Sequence, residues 1–182
     1  MRRFTNLEHL LLTLLQREPA SGYALRKAFA STPLGHFSDS PGSIYPALQR
    51  LLRRGLLRPI KDQPANRRRK QLFAVTPKAL AELRSWLNRP IAPEEVKHDP
   101  AGIVLRFVAC AQLSGNASAR RFVPQLENRV NEIFLELESY LRGPGKTLPI
   151  AGRLAVEHGL EGYRALARWA ARAGKELKRS SS

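Results

Sequence analysis

The hydrophobic period of this sequence changes twice within its first half, and that constrains the fold more than any single motif. From Leu7 to Gln16 the leucines at 7, 10, 11, 14 and 15 recur at helical spacing, with Asn6 as the expected N-cap. Pro19 ends this segment. Ser21 then caps a second helix carrying Tyr23, Leu25, Ala28 and Phe29, which Pro33-Leu-Gly35 stops. Ser40-Pro41 opens a third, with serine as N-cap and proline at the first helical position, where its missing N–H costs nothing. Ile44, Leu48, Leu51 and Leu52 give this helix an inward face, and Gly55 terminates it.

After Gly55 the period becomes two. Leu56 to Ile60 reads as a short strand, and Pro59, which cannot donate to a ladder, places it at a sheet edge. Lys70 to Thr76 reads as a second strand. Between them lies a polar hairpin tip, Lys61-Asp-Gln-Pro-Ala-Asn-Arg-Arg-Arg69. From Thr76-Pro77 the helical period returns through Leu80, Leu83 and Leu87. Three helices, a two-stranded hairpin and a further helix is the order of a winged helix-turn-helix, so the chain is expected to be mainly α with a small two-stranded wing.

The charge distribution agrees with this order. Residues 1–89 hold 17 Lys and Arg against 5 Asp and Glu, whereas residues 90–182 hold 14 against 10. The net excess of +16 is therefore concentrated in the first half, and an excess of that size calls for a polyanionic partner. Off the apolar stripe of the third helix lie Ser43, Tyr45, Gln49, Arg50, Arg53 and Arg54. Side chains near the start of a recognition helix reach base edges, and basic residues further along it meet phosphates. Arg67, Arg68, Arg69 and Lys70 at the hairpin tip suit phosphates or a minor groove. Ser40 is expected to work first as a cap and only secondarily at a phosphate.

The segments Leu11-Leu-Thr-Leu-Leu15, Ser21-Gly-Tyr-Ala-Leu25, Ser40-Pro-Gly-Ser-Ile-Tyr-Pro-Ala-Leu-Gln-Arg-Leu51 and Gly55-Leu-Leu57 resemble the PadR family of bacterial transcriptional regulators. The Gly-Ser-Ile-Tyr-Pro element is the specific part, because a generic winged helix needs no proline inside its third helix. The strand Lys70-Gln-Leu-Phe-Ala-Val-Thr76 fits the family's second wing strand. The resemblance covers the first half well and the second more loosely. It implies a winged helix-turn-helix joined to a helical dimerisation domain, as in the family's longer-tailed subgroup. It also implies DNA contacts from Tyr23, Ser43 and Tyr45 and a backbone grip from the wing. Two departures stand out: Pro64-Ala-Asn66 replaces the glycine usual at the wing tip, and Pro77 follows the threonine where an acidic residue is usual.

The second half is expected to start after a proline-rich linker at 90–100 and to extend over 101–182. Ala101 to Leu113 reads as an apolar helix that Ser114-Gly-Asn116 breaks. A long helix is expected from Pro124 to Leu141, and a last one from about Ile150 to a frayed tail at 178–182. Leu126, Val130, Ile133, Leu137 and Tyr140 form a heptad seam too short to stand alone. That seam, with Phe134, Leu141, Tyr163 and Leu166, is the expected dimer surface. A two-fold axis would set two recognition helices about 34 Å apart, matching an inverted-repeat operator in double-stranded DNA.

Other classes find little support. His9, His36, His98 and His158 share no ligand spacing, and the single cysteine, Cys110, sits in an apolar helix. No nucleophile–base pair, phosphate loop or cofactor fingerprint is present, so neither an enzyme nor a cofactor is expected. No run of about 18 apolar residues occurs, nor a signal-peptide cleavage pattern, and a soluble cytoplasmic protein is expected. Family members bind small aromatic or lipophilic effectors, which makes Trp86 and Trp169 effector candidates by resemblance. The expectation is a homodimeric, operator-specific repressor released by such an effector. The alternative is a basic RNA-binding or nucleoid-associated protein without operator specificity, although aromatics are only 7% of the residues and mostly read as core rather than as stacking platforms.

Overall fold

The computed structural model describes residues 4–31, 41–61 and 71–180. The chain divides into two compact units, Met1–Arg89 with Val104–Ala109, and Pro90–Ile103 with Cys110–Ser182.

In the first unit, α1 (Asn6–Arg17) is buried on nearly every side, with Leu10, Leu11, Leu12 and Leu15 in the core. Its N-cap is Thr5 rather than Asn6. The Glu8 N–H donates to Thr5 Oγ1 at 3.2 Å and the Thr5 N–H donates to Glu8 Oε2 at 3.0 Å, a reciprocal capping box that Asn6 cannot form. A two-residue strand β1 (Ala20–Ser21) leads into α2 (Gly22–Ser31), and Ser21 Oγ accepts the Ala24 N–H at 3.2 Å, the capping expected of it. The third helix begins later than expected. Pro41–Ser43 form a 3-10 turn and α3 spans Ile44–Arg53. Its inner face, Ile44, Ala47, Leu48 and Leu51, is almost completely buried, while Leu52 is half-buried.

Gly55 ends α3 with φ +67°, in the left-handed region that only glycine enters freely. Its N–H donates to the Leu52 carbonyl and the Leu56 N–H to the Leu51 carbonyl, both at 2.9 Å. Leu56 then buries beside Leu51, completing a Schellman motif. The chain continues as β2 (Leu57–Lys61) and β3 (Gln71–Val75), antiparallel, with Pro59 opposite Phe73. The sheet order is β1-β3-β2, so Pro59 lies on an edge strand as expected. The third strand, β1, was not anticipated, because two residues carry no detectable period. Thr76 caps α4 (Pro77–Asn88) by accepting the Ala79 N–H at 3.3 Å, and its hydroxyl donates to the Gly55 carbonyl at 2.8 Å. The exits of β3 and α3 are thereby tied together.

The second unit departs from expectation in four places. Residues 90–100 are more than a linker: Ile91 and Val96 are buried and Pro93–His98 form a helix, α5. Pro93 and Pro100 each stand at a first helical position, so they start helices rather than interrupt structure. The helix α6 spans Pro100–Ser114 and contributes its middle, Val104–Ala109, to the first unit. The helix α7 spans Asn116–Arg142 and runs unbroken through Pro124, instead of starting there. Proline removes one intrahelical bond, and 26 other residues of the same helix outweigh that loss. After a 3-10 turn at Pro144–Thr147, α8 (Ile150–Arg179) returns antiparallel to α7 and stays helical to Arg179, into the expected tail. Leu126, Val130 and Ile133 of α7 are buried within this unit together with Leu160 and Ala170 of α8.

Candidate nucleic-acid interface

The outward face of α3 is set by what its inner face is locked to. Tyr45, Gln49 and Arg53 step by four residues and all three are exposed, forming one ridge along the helix. Ser43 is half-buried at the helix start. Tyr45 lies over Gly22: a Cβ built at Gly22 would fall 2.7 Å from Tyr45 Cε1 and 3.3 Å from Cδ1. Glycine at the start of α2 therefore leaves room for an aromatic ring that is still 47% exposed, and fixes where that ring points. Tyr23, one residue on, is 58% exposed. The Ser21-Gly-Tyr segment thus has a physical role that the sequence displayed but did not explain.

Two of the expected phosphate-binding arginines already have partners inside the domain. Arg50 Nε donates to Glu8 Oε1 at 2.8 Å, and the Glu8 side chain is 4% exposed. One carboxylate thus caps α1 through Oε2 and anchors α3 through Oε1. The Arg54 guanidinium lies 3.8 Å above the Phe4 ring centroid. Phe4 in turn contacts the His9 ring, which stacks on Trp86 at 3.9 Å and 10°. Trp86, an expected effector residue, is 7% exposed, with one ring face covered by His9 inside the domain. Glu8, His9 and Phe4 were not singled out from sequence. A Glu and a His inside a leucine stripe were the available signal.

Ser40 and Arg67, Arg68, Arg69 and Lys70 lie outside the described residues. Arg58, on β2, is exposed on the same hairpin. A further residue missed from sequence is Arg106 in the apolar α6, which is 1% exposed. Its guanidinium donates to the carbonyls of Leu87, at 3.3 Å, and Arg89, capping the C-terminus of α4 with a positive charge where the helix dipole favours one.

Among the described residues no group of His, Cys, Asp and Glu could hold a metal ion, and no helix is long and apolar enough to cross a membrane. Cys110 is buried.

The order helix, helix, helix, two-stranded wing and helix, with a Tyr-Gln-Arg ridge over a Gly22 seat, coincides with a family match. The model of the transcriptional regulator PadR-like family matches residues 11–85. These residues are a PadR-like domain. Solved structures similar to the chain include the PadR-like transcriptional regulator BC1756 of Bacillus cereus. It shows 18% identity and a TM-score of 0.43 over 97% of this chain and 98% of that one. Bacillus subtilis PadR in complex with operator DNA shows 19% identity and a TM-score of 0.44 over 97% and 99%. The same protein in complex with p-coumaric acid shows 19% and 0.41 over 95% and 96%. No curated protein is similar enough to count as a match. In the PadR-like domain of this chain, Tyr23, Ser43, Tyr45, Gln49 and Arg53 gather about α3 and the start of α2.

The expected dimer residues divide differently. Leu126, Val130 and Ile133 are buried against their own chain, so the first part of the heptad seam is already covered. Phe134, Leu137, Leu141, Tyr163 and Leu166 are half-buried, and Trp169 likewise.

Proposed function

We propose that the protein is a homodimeric, sequence-specific DNA-binding transcriptional regulator acting as a repressor. The observation that carries this reading is the exposed ridge Tyr45-Gln49-Arg53 on a helix whose other face is locked into a PadR-like domain. In this reading α3 enters a major groove, where Ser43, Tyr45 and Gln49 read or frame base edges and Arg53 meets a phosphate. Tyr23 flanks the same groove. Arg50 and Arg54 serve chiefly to hold α3 at its angle, through Glu8 and Phe4. The wing arginines, Arg67–Arg69 with Lys70, add affinity without sequence preference. The second unit, 90–182 apart from the middle of α6, pairs two copies so that they meet an inverted repeat. A small aromatic or lipophilic effector releases the operator, with Trp169 as the reporter of its binding.

The test is selection from random duplex DNA with the purified chain. Enrichment of a palindromic motif is expected. Recovery without enrichment, or preference for structured RNA in competition, would instead support a basic nucleic-acid-coating protein. Alanine at Arg67, Arg68 and Arg69 should lower affinity for all duplexes alike and reduce the slope of log affinity against log salt by about 1 per lost phosphate contact.

A further inference from the structure

The charge of residues 90–182 is not spread evenly along them. They hold 14 Lys and Arg against 10 Asp and Glu, and residues 164–179, from the middle of α8 to its end, hold six against one. The remainder is close to neutral, with eight cations against nine carboxylates. Arg164, Arg168, Arg172, Lys175 and Arg179 step by four, four, three and four residues. Such steps keep them on one face of the helix over about 22 Å, and all five are exposed. Lys178 joins Lys175 and Arg120 of α7 along the adjoining groove, opposed there by Glu127.

Local causes account for part of this row. Arg164 and Arg179 pair with Glu161 and Glu176 of the same helix. Lys178 and Arg179 occupy the last turn, where the helix dipole favours a cation. Neither cause covers Arg168, Arg172 and Lys175. They precede the last turn, and among the described residues no carboxylate forms an ion pair with them. Like charges one turn apart destabilise a helix, so such a row needs an anionic partner to offset it.

The surroundings choose the partner. The exposed apolar residues between these cations are alanines, Ala165 and Ala171, whereas the large exposed apolar side chains of α8, Ile150 and Leu154, lie at its other end. A helix that seats in a lipid surface needs bulky apolar side chains beside its basic ones. A single-stranded RNA site needs open rings for stacking, and Trp169, the aromatic of this stretch, is half-buried. Cations separated by small residues suit a regular phosphate backbone held by charge alone. We infer that this face of α8, centred on Arg168, Arg172 and Lys175, is a second DNA-binding surface that grips the phosphates of a duplex without reading its sequence. The inference rests on the DNA-binding function proposed above and adds to it a surface in the helical unit.

The test is fluorescence anisotropy of the full chain on a labelled duplex of arbitrary sequence, titrated against salt. One variant carries Arg168→Gln, Arg172→Gln and Lys175→Gln. A control carries Arg142→Gln, Lys146→Gln and Arg153→Gln, which removes the same charge from the same unit outside this face. All six positions are exposed, and circular dichroism and sedimentation velocity check fold and assembly. At about 0.1 M salt the first variant should bind on the order of tenfold more weakly or worse, with a slope of log affinity against log salt smaller by about 2–3. The control should match wild type. Selection from random duplexes should return the same motif with the first variant as with wild type, because phosphate contacts carry no sequence information. Retention of a second labelled duplex by chain saturated on immobilised DNA, lost in the first variant, would show that the face takes a separate duplex; a slope change without such retention assigns it to the same one. Equal losses in variant and control would reduce the effect to bulk charge and overturn the surface. A defect explained by a changed oligomeric state, or a loss on phosphatidylserine vesicles and not on DNA, would overturn it too. If wild type binds duplex and the first variant binds it equally well, this inference alone falls. If wild type binds no duplex, the DNA-binding reading falls with it.

Discussion

Replacing Arg50 with alanine tests whether this arginine serves the fold or the ligand. Its Nε donates to Glu8 Oε1 at 2.8 Å, with the carboxylate side chain 4% exposed and the arginine side chain 30% exposed. A hydrogen bond to a charged group contributes about 1.5–3 kcal/mol, and leaving one partner buried and unmatched adds a desolvation cost. Full burial would raise the loss to about 3–5 kcal/mol. Here the guanidinium reaches solvent and the carboxylate keeps the Thr5 N–H at 3.0 Å, so about 2 kcal/mol is expected. In a domain of this size that lowers Tm by about 8–16 °C. Glu8→Gln, which retains an oxygen for the Thr5 N–H, isolates the charge, and a double-mutant cycle with Arg50→Ala should show coupling of about 1 kcal/mol or more. Coupling under about 0.5 kcal/mol, the scatter of additive sites, would refute the anchoring argument. Salt titration of DNA binding separates the roles further. If Arg50 acts by holding α3, Glu8→Gln and Arg50→Ala weaken binding together and the salt slope stays the same. If only Arg50→Ala weakens binding and the slope falls by about 1, Arg50 is a phosphate contact and its positioning role is refuted.

Gly22→Ala should displace the Tyr45 ring, which can swing outward because it is half-exposed; stability should change by less than about 1 kcal/mol while operator affinity drops. Unchanged affinity in a fluorescence-anisotropy titration would show that the seat is irrelevant to binding. At Gly55 a Cβ meets nothing within 4 Å, so Gly55→Ala should cost only the left-handed backbone penalty of about 1–2 kcal/mol, with Gly55→Asn milder, in urea denaturation. Equal stability of the three proteins would mean that α3 ends by another route. Arg106→Met should lose about 2 kcal/mol, since the Leu87 and Arg89 carbonyls give up a charged donor. A thermal midpoint at or above wild type would show that burying the charge costs as much as its bonds return.

What the sequence by itself determined is local. The alternation of periods about Gly55, the proline at a first helical position in α4, the edge strand marked by Pro59 and the cap at Thr76 follow from preferences that act within about four residues. These were enough to order the winged domain and to point to the outer face of α3. The tertiary structure decided which apolar stripe meets which partner. Leu126, Val130 and Ile133 announce only that a helix face needs cover, and whether that cover is α8 or another copy depends on where the chain turns back. The same holds for charge. Arg50, Arg53 and Arg54 look equivalent on a helical wheel, yet Glu8 and Phe4, far earlier in the chain, engage Arg50 and Arg54 and leave Arg53 exposed. Asn6 is the cap expected from the sequence, yet Thr5 takes that position because Glu8 is in place to return its bond. Periodicity reports how much surface must be buried; only packing between distant segments chooses what buries it.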